Sequence, residues 1–332
     1  MLEKARAFAT SLLVFAICNT ALAQEKAQGL YDHHVHVLSP RLIADWKSLG
    51  MEFSRSDEFY MDSSLIMKQN EVSGAFLISM SHLYATEDFR TICGTAEMER
   101  RLVAAENDFV AVSVARHPSS FVGFFSINLF KDYAFDELNR CKANPNLTGL
   151  KLHLPACSFD LESPEHWKRL AEILSWAARE NVPVLLHLTA GEDVDLAKAI
   201  WFWETIVEPH PSLELYLAHL GSIGGFNDSS ENILMGYHRR KAENPEFGKM
   251  AVFFDLSGAI IGTNPEIPRT TDERCKRLAE VMLQIGVERF LFASDYPVFS
   301  VSETRSDLTS RLALPADDLA KLLSNRSRLF VQ

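Results

Sequence analysis

Beyond its first two dozen residues, the 332-residue chain has no apolar run approaching the roughly 20 residues of a membrane span. It has no low-complexity tract and no internal linker rich in Pro, Gly or Ser, so nothing in it marks a domain junction. It also lacks a basic stripe. Arg239-Arg240-Lys241 is its one basic cluster, and the formal net charge is −11, which argues against nucleic acid as a partner. Cysteine is scarce, and none of the five cysteines has metal-finger spacing. No glycine-rich turn follows the first apolar strand-like run, which argues against an open dinucleotide-binding sheet.

What is present begins with a leader. Lys4 and Arg6 precede an apolar stretch, residues 7–17, that at 1.5 Å per residue is too short for a bilayer core of about 30 Å. Ala21-Leu22-Ala23 then supplies the small-x-small pattern of a signal-peptidase site. Residues 1–23 are expected to be a cleaved signal peptide, leaving residues 24–332 as an exported protein, periplasmic or secreted, with no membrane attachment after cleavage. An oxidising compartment would permit disulfides among Cys93, Cys141, Cys157 and Cys275, and three complete pairings stay open.

Short β-type runs alternate with longer amphipathic stretches along the rest of the chain. The expected strands are 30–36, 73–79, 121–127, 148–154, 183–188, 213–219, 251–257 and 289–294. Between them, segments such as 96–114, 164–180, 196–207 and 272–285 carry apolar residues at three- and four-residue intervals, the period of a helix with one buried face. Eight strand–helix repeats predict an α/β protein of the closed (β/α)8 barrel type. Residues 38–61, 221–245 and 258–271 read as long loops on the C-terminal rim, where barrel active sites lie.

The strongest polar residues fall at strand ends. In Asp32-His33-His34-Val35-His36, strict alternation would put Asp32, His34 and His36 on one face, and two histidines at i and i+2 can address one metal ion. The apolar runs 183–187 and 213–219 end in His187 and His219, and 290–295 ends in Asp295. Burying such groups against an apolar barrel is costly unless each is paired or bound to a cation. One could be structural, but four strands delivering nitrogen and oxygen donors to one rim point to a metal. In the fourth strand, leucines occupy the alternate positions, so Lys151 and His153 are expected to face the interior as second-metal or substrate residues. Arg116, His117, Trp201 and Trp203 read as structural, and Tyr296 and Arg269 as rim residues of no assigned role.

The order His-x-His, His, His, Asp on strands one, five, six and eight resembles the amidohydrolase superfamily. The wording is most similar to its amidohydrolase-related branch, which holds aminocarboxymuconate-semialdehyde decarboxylase-like enzymes, resorcylate-type decarboxylases and dicarboxylate lactonases. Besides the opening motif, Gly149-Leu150-Lys151-Leu152-His153, Ala218-His219-Leu220-Gly221, Ser294-Asp295-Tyr296-Pro297 and the ending 323–330 carry the likeness. The resemblance implies that His34, His36, His187 and Asp295 bind one divalent ion, expected to be zinc, with His219 free as acid or base. It also implies that a carboxylated Lys151 would bridge a second ion held by His187 and His219.

The expected reaction is hydrolysis of a small amide, ester or lactone. A metal-activated water of pKa about 7 would attack, Asp295 would take its proton and His219 would polarise the carbonyl. The alternative is non-oxidative decarboxylation of a small hydroxyaromatic or unsaturated acid, and a third reading is a non-catalytic metal- or ligand-binding barrel. A small molecule is the expected partner, and the sequence leaves a homo-oligomer open.

Overall fold

In the computed structural model, which describes residues 29–330 apart from 71, 192–193 and 263–268, eight parallel strands pair in sequence order. They are β1 (Leu30–His36), β2 (Val72–Ile78), β3 (Phe121–Ser126), β4 (Gly149–His153), β5 (Val184–His187), β6 (Glu214–Leu217), β7 (Ala251–Asp255) and β8 (Phe290–Leu291). Each matches an expected strand to within a few residues. β8 is the shortest, because the chain beyond it leaves the β7 ladder and runs beside β1. There the His33 amide donates to the Phe292 carbonyl, the Asp295 amide to the His34 carbonyl and the His36 amide to the Tyr296 carbonyl, at 3.1, 3.0 and 2.7 Å. These bonds close the barrel.

Two apolar layers hold it. Phe76, Ile78, Phe124, Leu185, Tyr216 and Leu291 fill the interior, while Val35, Ala75, Leu77, Phe125, Leu150 and Leu186 face the surrounding helices. Parallel strands buried on both sides read as nearly continuous apolar runs, which is why they were legible. The helices begin where a side chain can satisfy their free amides. Ser39, Thr95, Ser163, Asp195, Asn227, Thr271 and Ser300 each accept from an amide in the first turn. At the N-terminal end, Phe330 stacks on Phe76 with ring centroids 5.1 Å apart, and Arg328 pairs with the buried Glu214, so the closing segment plugs the barrel floor.

Three expectations need correction. The segment 221–245 is not a loop: it contains the helix Asp228–Glu243, which buries Ile233, Leu234 and Tyr237. Its Asn, Asp, Ser, Arg and Lys content hides a narrow apolar stripe. The segment 38–61 likewise holds the helices Pro40–Ser48 and Asp57–Met61. Strand β1 does not alternate simply. Its register with β2 slips between Asp32 and Val35, so Asp32 pairs with Ala75 of the helix-facing layer while His33 and His34 both turn inward. The Asp32 carboxylate accepts from the His34 amide (3.1 Å), the Ser294 amide (3.0 Å) and the Ser294 hydroxyl, which holds the bulge.

Among the described residues no helix is long and apolar enough to cross a membrane, and the expected signal peptide lies outside them. Cys93, Cys141, Cys157 and Cys275 are buried free thiols. Trp203 is buried and donates to the Ile233 carbonyl, whereas Trp201 is partly exposed against Trp167. Arg116 and His117 are exposed at the entrance to β3, and Arg269 is exposed beside Asp272.

One buried acid gives the fold a testable pH dependence. Glu106, in the helix Ala96–Ala115, accepts from the Ser39 amide at 3.0 Å through Oε1, while its Oε2 is buried without a partner. Burial pushes its carboxyl up to about 7. The unfolded chain releases that proton near the ordinary carboxylate value, so the stabilisation is complete at low pH and is lost as pH rises through 7. Glu106→Gln keeps the Ser39 contact and removes the titration. Urea midpoints should show the variant gaining up to about 3 kcal/mol on the parent between pH 5 and pH 8.

Candidate metal centre at the C-terminal rim

The strand ends converge. Lys151, on β4, is wholly buried with its Nζ 3.5 Å from His34 Nε2. His153 ends β4, His187 ends β5, Asp255 ends β7, and His219 and Asp295 follow β6 and β8. His219 and Asp295 have φ of 53° and 64°. Non-glycine residues adopt such values at a cost of about 1–3 kcal/mol each, and they persist where surrounding contacts over-determine them. Here those contacts aim both side chains over the barrel mouth.

Two groups of donors form. In the first, His36 Nε2 lies 3.2 Å and His34 Nε2 lies 3.6 Å from Asp295 Oδ1, and all three atoms fall within 4.8 Å of one another. The second is organised by Asp255. His34 Nδ1 donates to its Oδ2 at 2.8 Å, while the His219 amide (2.9 Å), the Ser257 amide (3.1 Å) and the Ser257 hydroxyl donate to Oδ1. The hydrogen bond to Asp255 fixes the His34 tautomer, leaving Nε2 as the bare donor that faces Asp295. The Ser257 hydrogen is committed to Asp255, so the hydroxyl oxygen accepts from His219 Nδ1 at 2.8 Å, and the Ser257 carbonyl lies 3.0 Å from the same nitrogen. His219 therefore keeps Nε2 free of these bonds.

The electrostatics suit a cation. Burial, reinforced by the charge of Lys151 and the neighbouring imidazoles, holds His34 well below its ordinary value, so it stays neutral. Burial alone would raise Asp295, but its hydrogen bond with His36 holds it below the usual carboxylate range. Burial pushes Lys151 down to about 8. Ligands must be deprotonated to bind a metal, and this set supplies a neutral imidazole and an ionised carboxylate. His36 adds a second nitrogen, and its other nitrogen, Nδ1, is buried without a partner. The residues fit a divalent ion.

The structure groups His34 and His36 with Asp295, and places His219 and Lys151 beside His34, but it does not draw His187 into the first group. His187 Nε2 faces the Thr189 carbonyl at 3.0 Å, and its ring lies 4.2 Å from that of His153 and 4.8 Å from that of His219. His153 Nδ1 accepts from the Ala156 amide at 3.1 Å, a local structural bond.

Two residues were missed. Asp255 ends an apolar strand just as the recognised residues do, and that signal could have found it. His82 lies four residues beyond β2, buried, stacked on His153 at 5.2 Å and bonded to Ser126 at 2.8 Å. No strand-end pattern marks it. Outward from His36 opens a cavity of about 670 Å³, walled by Leu38, Trp46, Phe53, Tyr60, Ile261 and Phe299 among others.

A parallel barrel with a histidine- and carboxylate-rich rim of this kind defines a metal-dependent (β/α)8 enzyme. The sequence pattern of the amidohydrolase family matches residues 31–325, and the chain belongs to that family. No curated protein matches the sequence. Among solved structures, it is similar to 5-carboxyvanillate decarboxylase from Sphingomonas paucimobilis, at 16% identity and a TM-score of 0.62 over 92% of this chain and 99% of that one. It is also similar to 2,6-dihydroxybenzoate decarboxylase from Rhizobium, at 18% identity and a TM-score of 0.58 over 92% and 99%. A third is dihydroxybenzoic acid decarboxylase from Polaromonas sp. JS666 with bound manganese and 2-nitroresorcinol, at 16% identity and a TM-score of 0.56 over 91% and 97%.

At these identities the likeness establishes the fold. It also overturns the expectation of amide, ester or lactone hydrolysis, because these neighbours are decarboxylases of hydroxyaromatic acids and match the second reading. The donor set alone could not separate the two, since both reactions use a cation beside a carboxylate. The family and the manganese-bound neighbour support a divalent metal.

Asp255 gives the first test of the site. Asp255→Asn keeps the shape but weakens the acceptor that orients His34. Metal titration of the purified variant should show affinity reduced about 10- to 100-fold with the fold retained. Unchanged affinity would mean that Asp255 does not orient the ligand.

Proposed function

We propose that the protein is a metal-dependent, non-oxidative decarboxylase of a hydroxyaromatic carboxylic acid. The observation that carries this reading is the donor group His34, His36 and Asp295 at the inner end of an aromatic-walled cavity, on a fold shared with enzymes of that activity. In this reading those three residues hold one divalent ion, zinc or manganese. Imidazole and carboxylate ligands suit either metal. Such an ion would supply positive charge to offset that of an anionic substrate.

The chain's own residues then manage one proton. Decarboxylation breaks the ring–carboxylate bond, releases carbon dioxide and requires a proton at the ring carbon that carried the carboxylate. His219 is suited to deliver it. Its Nδ1 hydrogen is engaged by Ser257, so Nε2 is the atom that takes a proton from solvent and passes it to carbon. Lys151, unmodified, balances the charge of Asp255 and Asp295 from beneath. The apolar walls exclude water from the reacting carbon.

The test is to load the protein separately with zinc and manganese, measure metal content, and follow carbon dioxide release from a panel of hydroxybenzoates. We expect one ion per chain, release that a chelator abolishes, and a His219→Asn variant that keeps its metal but loses about 10²- to 10⁴-fold in rate. Metal-loaded protein that releases no carbon dioxide from any of them would overturn the proposal.

A further inference from the structure

The cavity beyond His36 is larger than a single-ring acid requires. Even at the roughly 30 Å³ that each water occupies in the liquid, an acid of about ten non-hydrogen atoms fills about 300 Å³. That is less than half of the 670 Å³ available. The remaining space lies in an outer chamber lined by aromatic rings. Trp46 meets Phe53 edge-on at 5.6 Å, and Phe53 meets Tyr60 edge-on at 4.7 Å. Phe299 lines the same cavity. The chamber is continuous with the metal-binding end, because His36 lines the same cavity as Trp46, Phe53, Tyr60 and Phe299. A Cβ on Gly258, which lines the cavity, would stand 3.8 Å from His219 Nδ1 and 3.7 Å from the Phe299 ring.

The charge at the mouth decides what the chamber admits. Glu52, Glu303 and Asp307 line it against the single guanidinium of Arg55. Arg55 lies 3.7 Å from Glu303 and over the rings of Phe59 and Tyr296 at 5.8 Å. A second carboxylate there would meet a net negative wall, whereas a neutral ring would meet aromatic edges and faces at favourable distances.

Resting on the proposed function, we infer that the substrate is a two-ring acid. A hydroxyaryl carboxylate lies at the metal-binding end, and a neutral second aryl group fills the chamber of Trp46, Phe53, Tyr60 and Phe299.

Binding of unreactive nitrophenols to manganese-loaded protein tests this without turnover. Calorimetry would compare 2-nitrophenol with 4-hydroxy-3-nitrobiphenyl and 2-hydroxy-3-nitrobiphenyl, which carry a second ring in two directions. At least one biphenyl should bind about 10- to 100-fold more tightly than the single ring, from the apolar area its second ring buries. Phe53→Ala should reduce that ratio towards one. Val298→Trp, which fills the mouth from an exposed position, should do the same if the first variant fails to fold. Single-ring binding with no biphenyl preference overturns the inference and leaves the proposed function standing. A preference that survives both substitutions overturns it too, because the second ring would then lie elsewhere. Absence of metal-dependent binding by all three overturns both.

Discussion

The carboxylate of Asp255 is the point on which the rim is organised. One oxygen takes the Nδ1 hydrogen of His34, and the other takes the backbone amides of His219 and Ser257 together with the Ser257 hydroxyl. A buried carboxylate without such donors would be expensive, and with them it sets the tautomers of two imidazoles at once. His34 is left with a bare nitrogen facing Asp295. His219 is held through Ser257 in an otherwise unfavourable left-handed turn, with its second nitrogen free of that bond. Remove that acceptor, and neither ring has a reason to stay where it is.

The sequence showed most of the frame, for physical reasons that can be named. Strands covered on both faces must be apolar throughout, and capped helices must carry one apolar stripe, so all eight strands and the best helices were visible. The helix Asp228–Glu243 was not, because its stripe is narrow among polar residues. Polar residues at the ends of apolar strands pointed to His34, His36, His187, His219 and Asp295, and the alternate leucines of the fourth strand pointed to Lys151 and His153. Asp255 ends an apolar strand in the same way. His82 arrives from a loop after β2, and no periodicity reports that. The slip in β1 was also invisible: alternation assumes an unbroken ladder, and an extra residue between Asp32 and Val35 changes which side chains turn inward.

Reaction type was less legible than architecture. A cation flanked by imidazoles and an ionised carboxylate can activate water or hold a phenolate, and the residues that bind it are the same in either case. What separates the reactions is the shape and polarity of the space above the ion. That space is assembled from residues far apart in the chain, from Leu38 in one rim segment to Phe299 in another. Only the folded molecule brings them together.

The closure of the barrel gives the metal centre a second meaning. Between β8 and β1 there is no regular ladder, only a few backbone bonds from the segment after β8. His34 and His36 stand on one side of this seam and Asp295 on the other. An ion gripped by all three would fasten the first strand of the barrel to the last, like a clasp on a hoop. Its binding energy would then stabilise the folded ring as well as the reacting substrate, so the residues that perform the chemistry would also be the ones that keep the barrel shut.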